Sequence, residues 1–482
     1  MSYFTKTALE IREIFLSKKA SAVEITKSFI ERINQINPEI NAFINIYPEL
    51  ALKRAEELDK KLASGQAMGK LAGIPIGIKD LINYTGTQTT AASKILEGHV
   101  SVYNATITQK VLDADAIPLG KLNLDEFAMG SSNETSAYGT VKNPWNLKKV
   151  PGGSSGGSAA ALSANMLPLA FGTDTGGSIR QPASYCGLVG MKPTYGRVSR
   201  YGIIAFASSL DQAGPMTRNV ADNALLMEVM AGHDQNDSTS LDIPVPDYLS
   251  HINSNFKKNQ NLNGLKIGIA ADFFVKELNP EVKQSVENAI KHYQSLGAEV
   301  VEITLNKIKY GLPTYYIIAP SEASSNLARY DGVRFGHRDK EAETLTKLYL
   351  NSRASFGTEV KRRIMLGVYA LSSGYYDAYY KKAQQVRKLI YDDFNNAFTK
   401  CDLILTPTAP STAFDIGSKS DNPLEMYLSD IMTVTINLAG IPAISLNCGF
   451  DKEQMPIGMQ LIGPSLSEAN IYNAAYAFEA TT

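Results

Sequence analysis

Apolar and polar positions change rhythm several times along this chain, and the changes divide it. Ser21 and Glu24 set a capping-box pattern ahead of Ile25, Phe29, Ile33 and Ile36, an apolar stripe at helical period. The segment 1–65 therefore reads as helical, with Pro38 closing the capped helix. Gly73-Ile74-Pro75-Ile76-Gly77-Ile78-Lys79-Asp80 then alternates isoleucine with small residues, which predicts a strand ending at Lys79. From about Val111 to Val220, short apolar runs alternate with glycine-rich turns and helical stretches, so a layered α/β core is expected over about 66–231. A polar stretch rich in Asp, Asn and Ser, 232–264, reads as a surface excursion. Beyond it, Leu265–Ala270, Pro280–Leu296 and Glu299–Leu305 read as strand, helix and strand, a βαβ unit. A long helical region runs roughly from Gly357 to Lys400, and Leu403–Leu405, Pro442–Cys448 and Pro456–Ile462 read as strands. The part 265–482 is thus expected to return to the same sheet.

Composition narrows the class. The 482 residues suffice for two or three domains or for one large α/β core with insertions. With 44% hydrophobic and 20% charged residues, neither a disordered nor a fibrous chain is indicated. A net charge of −1 argues against a chain whose main task is gripping nucleic acid. Cys186, Cys401 and Cys448 are widely separated, which excludes a disulfide framework and a cysteine-rich zinc site and suits a reducing cytosol. The start Met1-Ser2-Tyr3-Phe4-Thr5-Lys6 leads into an amphipathic pattern, not a signal-peptide core, and the apolar stretch 162–171 is too short to span a bilayer. A cytoplasmic chain without membrane contact is expected.

Two glycine-serine segments carry the candidate chemistry: Pro151-Gly152-Gly153-Ser154-Ser155-Gly156-Gly157-Ser158, and 172–182, which reads G-T-D-T-G-G-S-I-R-Q-P. Glycines let the backbone approach a substrate, and consecutive N–H groups can converge on one anionic oxygen. A flexible tether does not fit, because apolar residues follow both segments directly (Ala159–Leu162; Leu188 and Val189). A phosphate loop lacks the required G-x-x-x-x-G-K-[ST] or G-x-G-x-x-G. Gly152-Gly153-Ser154-Ser155-Gly156 matches the bare G-x-S-x-G pattern, but that elbow requires a downstream histidine base. His233, His251, His292 and His337 all sit in polar segments without motif context.

Taken together, Lys79 at its strand end, G-G-S-S-G-G-S at 152–158 and the 172–182 segment resemble the amidase-signature family, including the separation of 24 positions between Ser154 and Ser178. The resemblance extends over nearly the whole chain. It implies a single α/β domain with a large mixed central sheet covered by helices on both faces. It also implies a Ser–Ser–Lys system in which Ser178 attacks an amide carbon and Ser154, on a cis peptide, relays the proton to Lys79. The amides around Thr175, Gly176, Gly177 and Ser178 would form the oxyanion hole. Elementary chemistry agrees, since a serine hydroxyl needs a base and a lysine becomes one only if burial lowers its pKa to roughly 7–8. Asp80 and Asp174 read as loop-bracing residues.

Further segments narrow the resemblance. Phe127–Ser136, Lys192–Ser199, Ser321–Leu327, Glu359–Ile364, Ser373–Tyr380 and Asn437–Pro442 look like the glutaminase subunits of tRNA-dependent amidotransferases. That likeness implies free glutamine as substrate, touched by Met129, Gly130, Ser131, Tyr315, Arg363 and Asp430. The arginine would receive the α-carboxylate and the aspartate the α-ammonium. It further implies no metal or cofactor in this chain, and two partner subunits in a heterotrimer. One of these would hold ATP and Mg²⁺ and make most of the tRNA contacts. The tyrosines at 375, 376, 379 and 380 recur at helical spacing and read as core or subunit packing. The rival readings are a stand-alone amidase for small or lipophilic amides, and a scaffold subunit with a relic site.

Overall fold

The computed structural model describes residues 2–252, 261–275 and 278–482. Its strands are β1 (Phe43–Ile46), β2 (Pro75–Lys79), β3 (Ile117–Leu122), β4 (Leu169–Thr173), β5 (Val189–Lys192) and β6 (Ala213–Thr217). They continue with β7 (Lys266–Ala270), β8 (Glu299–Ile303), β9 (Leu403–Pro407), β10 (Ala443–Phe450) and β11 (Pro456–Ile462). All eleven form one mixed sheet in the order β1-β3-β2-β4-β6-β5-β10-β11-β9-β7-β8. Every residue of β2, β3, β4, β5, β6, β9 and β11 is buried. Because successive side chains point to opposite faces, burial of both sets means that both faces are covered. Burial lapses toward the edges, in β1 and β8.

The topology sets up one end of the sheet for chemistry. Strands β2, β3 and β4 run parallel, with Lys79 paired to Leu122 and Gly77 to Ala170. Their C-terminal ends therefore deliver Lys79, Thr173 and the Asn123–Asp125 turn to the same edge. Strand β6 is antiparallel to β4 with Ala213 opposite Thr173, so Asp211 and Gln212 arrive at that edge too.

Several expectations meet the structure directly. The Ser21–Glu24 capping box forms in both directions. The βαβ unit is present as Lys266–Ala270, helix Pro280–Ser295 and Glu299–Ile303, with β7 and β8 parallel. The excursion at 232–264 is tied down in part: Tyr248 is buried and Arg197 donates to the Ile243 and Pro244 carbonyls, while 253–260 lie outside the described residues.

Others need correction. Pro38 does not close its helix, which runs Ala22–Ile40 and ends on Asn41 in the left-handed conformation. A proline in the last turn forfeits one backbone donor without preventing two more helical residues. The segment 1–65 is not all helical either, because Phe43–Ile46 pairs antiparallel with β3. The Gly357–Lys400 region splits into helices Thr358–Leu371 and Lys382–Ala397 around a bend at Ser372 and a π-helical turn at Asp377–Lys381. Tyr375 and Tyr376, just before that turn, and Tyr379 on it are exposed, so core packing is not their role. Among the described residues no helix is long and apolar enough to cross a membrane.

Candidate active site

Lys79 ends β2 with no solvent exposure. Two positions earlier, Gly77 leaves space for the Leu122 and Leu167 side chains, which a Cβ would meet at 2.5 and 2.4 Å. The ammonium nitrogen lies 2.9 Å from Ser154 Oγ, 2.8 Å from Ser155 Oγ and 2.8 Å from Thr173 Oγ1. A charged ammonium would donate to all three hydroxyls. A neutral amine has only two donors, so one hydroxyl must then donate to its lone pair. Burial lowers the Lys79 pKa to about 7, against the opposing pull of the Asp125, Asp174 and Asp211 carboxylates.

The two serine loops interlock over this lysine. The Gly153–Ser154 peptide is cis. The Gly153 amide donates to Gln181 Oε1 at 3.0 Å, and the Ser155 amide to the Ser178 carbonyl at 3.2 Å. Asp125 backs the first loop so closely that a Cβ on Gly153 would lie 2.0 Å from its carboxylate. Asp174 braces the second. Its carboxylate accepts from the Gly177 amide at 2.8 Å, from Arg180 Nε at 3.0 Å and from Asn437 Nδ2 at 2.8 Å. Burial would raise the Asp174 pKa, but the Arg180 guanidinium beside it holds it at about 2.

Of the three loop serines only Ser178 keeps any exposure, 9% against 0% for Ser154 and Ser155, and its hydroxyl has no partner among the described residues. The amides of Thr175, Gly176 and Ser178 are likewise without partners among the described residues. Gly177 is the exception within the expected oxyanion quartet, because its N–H already serves Asp174. Its own role is conformational: φ is +139°, and a Cβ would come within 2.2 Å of Thr433 Oγ1.

A cavity of about 250 Å³ is lined by Gly130, Ser131 and Arg363, with Glu359, Lys419 and Tyr427. The Arg363 guanidinium is 5.3 Å from the Tyr316 ring, 5.5 Å from Tyr427 and 5.6 Å from Phe206. Its Nε donates to Glu359 Oε1 at 2.8 Å, and the Tyr427 hydroxyl donates to the same oxygen at 3.0 Å. Neither Arg363 Nη atom has a partner among the described residues. Asp430 accepts from Ser131 Oγ at 2.6 Å and from the Tyr316 hydroxyl at 3.4 Å. Burial raises its pKa to about 7, although Ser131 and Arg363 oppose the shift. Tyr315 is buried with its ring where a Cβ on Gly176 would fall, 2.6 Å from Cζ. Met129 is fully enclosed and does not line the cavity.

Sequence reasoning missed Asp125, Thr173, Asp211, Gln181 and Glu359. For Glu359 a signal existed, since it precedes Arg363 by four positions on one helix face. Gln181 lies in the 172–182 segment itself and reaches the first serine loop through its Gly153 bond, while Asp125, Thr173 and Asp211 meet the site through strand order. A larger cavity, about 650 Å³, opens between Tyr103, Ile203 and Phe335 and contains none of the expected site residues.

A buried lysine under two interlocked serine loops, at the end of a sheet of this order, defines an amide-cleaving class of fold. Residues 24–471 match the Amidase family, and the chain belongs to it. It is 54% identical over 480 residues to the A-subunit of glutamyl-tRNA(Gln) amidotransferase of Caldanaerobacter subterraneus subsp. tengcongensis, covering 99% of this chain and 97% of that one. The crystal structure of the corresponding A-subunit from Thermotoga maritima is 41% identical, with a TM-score of 0.82 over 100% of this chain and 96% of that chain. Native peptide amidase from Stenotrophomonas maltophilia is 30% identical, with a TM-score of 0.83 over 100% and 97%. The fold alone therefore does not select the amide.

Proposed function

We propose that this chain is the glutaminase subunit of a glutamyl-tRNA(Gln) amidotransferase. Lys79, neutral, takes the Ser154 proton as Ser154 takes that of Ser178, and Ser178 Oγ bonds to the side-chain amide carbon of glutamine. The oxyanion forms against the amides of Thr175, Gly176 and Ser178. As the C–N bond breaks, the proton returns through Ser154 to the departing nitrogen and ammonia leaves. Water then hydrolyses the glutamyl ester by the same relay, releasing glutamate and restoring Ser178. Arg363 receives the α-carboxylate, Asp430 the α-ammonium, and the Tyr315 ring closes the pocket beside Gly176. Partner subunits, one holding ATP and Mg²⁺, activate the glutamyl-tRNA that consumes the ammonia.

The observation that carries this reading is the meeting of opposite charges at one cavity wall, where Arg363 and Asp430 both approach the Tyr316 ring and hydroxyl. Arg363, whose Nη atoms have no partner among the described residues, lines the cavity with Ser131; Asp430, behind that lining, accepts the Ser131 hydroxyl, and Gln181 of the second serine loop donates to the Ser131 carbonyl. A small zwitterion fits that pair, and a lipophilic amide does not. Trapping with a glutamine-like electrophile, followed by peptide mass spectrometry, should place one adduct on Ser178. An adduct on Ser154 or Ser155 instead would reverse the assignment of the nucleophile.

A further inference from the structure

We propose that Lys419 is a specificity-determining residue of this site, a second cation that receives the substrate's α-carboxylate beside Arg363. The inference rests on the glutamine reading above. The charged residues lining the cavity are Arg362, Arg363 and Lys419 against Glu134 and Glu359. Glu359 is shared by both arginines, and Glu134 accepts the Gly417 amide at 2.7 Å. Lys419 is the one lining cation that makes no ion pair with a described residue. Its ammonium donates to Ser429 Oγ at 3.0 Å and lies 4.0 Å from the centre of the Phe414 ring. That fixes the head on an aromatic face while two of its three donors have no partner among the described residues.

A partly buried ammonium with spare donors, in a cavity whose carboxylates are already engaged, is a receptor for an anionic oxygen. Glutamine brings one such group, and its two oxygens have acceptor sites enough for both the Arg363 fork and an ammonium. The bond to Ser429 also ties Lys419 to the residue preceding Asp430. Lys419 and Asp430, one for each charge of the substrate, are thereby tied to one turn.

The test compares glutamine with 4-aminobutanamide, which keeps the side-chain amide and ammonium but lacks the carboxylate. Ammonia release is followed in the full amidotransferase complex. Lys419→Met, which keeps the stem on Phe414, should lower kcat/KM for glutamine by about 10- to 100-fold and leave that for 4-aminobutanamide unchanged. Lys419→Arg should restore most of the loss, and ammonium-dependent amidation should persist in both variants. Equal losses with the two substrates, or no loss with glutamine, would overturn the proposal. If Arg363→Ala abolishes the preference for glutamine and Lys419→Met does not, only the Lys419 role fails. A wild-type complex indifferent to the carboxylate would instead remove the glutamine reading itself.

Discussion

A lysine accepts a proton only when it is neutral, and an unperturbed one is neutral in about one molecule in 2,500 at pH 7. Burial of Lys79, with a pKa of about 7, removes most of that handicap. Asp430 titrates in the same range and must be ionised to pair with an ammonium. For free enzyme, both groups need to lose a proton, so kcat/KM for glutamine should fall below about pH 7 with a limiting slope of about two. If bound glutamine pairs Asp430 as proposed, kcat should fall with a slope of about one. Asp430→Asn should make the two profiles parallel. Lys79 also leaves a thermodynamic mark whose sign is fixed. Between about pH 7 and 10.5 the unfolded chain retains a proton that the folded chain has lost, so raising the pH favours the folded state. Relative to Lys79→Met, the wild type should gain about 1.4 kcal/mol per pH unit in that window and nothing below it. Urea unfolding at the two ends of the window measures this, and a pH-independent difference would mean that Lys79 is charged in the folded protein. Lys79→Arg should be inactive, because guanidinium stays protonated.

At the scale of elements, the site is made where separate segments cross, and that is what limited its legibility in the sequence. Lys79 at a strand end, both serine loops and the βαβ unit are local patterns, and each was readable. Asp125, Asp211 and Thr173 act through strand order, which hydrophobic period does not encode. Strand β1 was invisible for a different reason: four residues between helices, at a sheet edge, offer too little alternation to register. The helix Thr358–Leu371 shows how far apart the coupled segments are. Its N-cap amide, Gly357, donates to Glu126 Oε2 at 2.8 Å, across a separation of 231 positions. Burial raises the Glu126 pKa to about 7, although the Ser93 and Gly357 hydrogen bonds work against the shift. A Cβ at 357 would meet that oxygen at 2.2 Å, so Gly357→Ala must shift the Glu126 carboxylate and break its bond to the 357 amide, or move the helix start. Arg363 lies less than two turns further on. Displacement on the order of 1 Å there should cost up to about 100-fold in kcat/KM for glutamine, mostly through KM, with little change in the ammonium-dependent reaction. An unchanged KM would show that the Glu126 contact does not set the position of Arg363.

Across the whole molecule, a net charge of −1 and a cavity of about 250 Å³ suit a chain that handles a small substrate and leaves the polyanion to others. Polyanion binding scales with the number of phosphates a protein neutralises, so a near-neutral chain is poorly suited to hold tRNA unaided. If activation and amide formation belong to the partner subunits, damage to the glutamine receptor should leave them intact whenever ammonia comes from solution. Arg363→Ala in the assembled complex is the decisive variant. It removes the Nε bond to Glu359 and the two Nη groups that have no partner among the described residues, while the stacked Tyr316 and Tyr427 rings remain. The α-carboxylate then enters a partly desolvated pocket without its main partner, which should cost roughly 2–4 kcal/mol in transition-state binding, or about a 30- to 1,000-fold loss in kcat/KM. The measurement is a pair of assays on one preparation, amidation of glutamyl-tRNA with glutamine and with ammonium chloride. Loss confined to the glutamine arm is the expected result. Equal loss in both would mean that the substitution broke assembly or fold. Survival of both would return the pocket to some other amide, and the likeness to peptide amidase would then become the better guide to substrate.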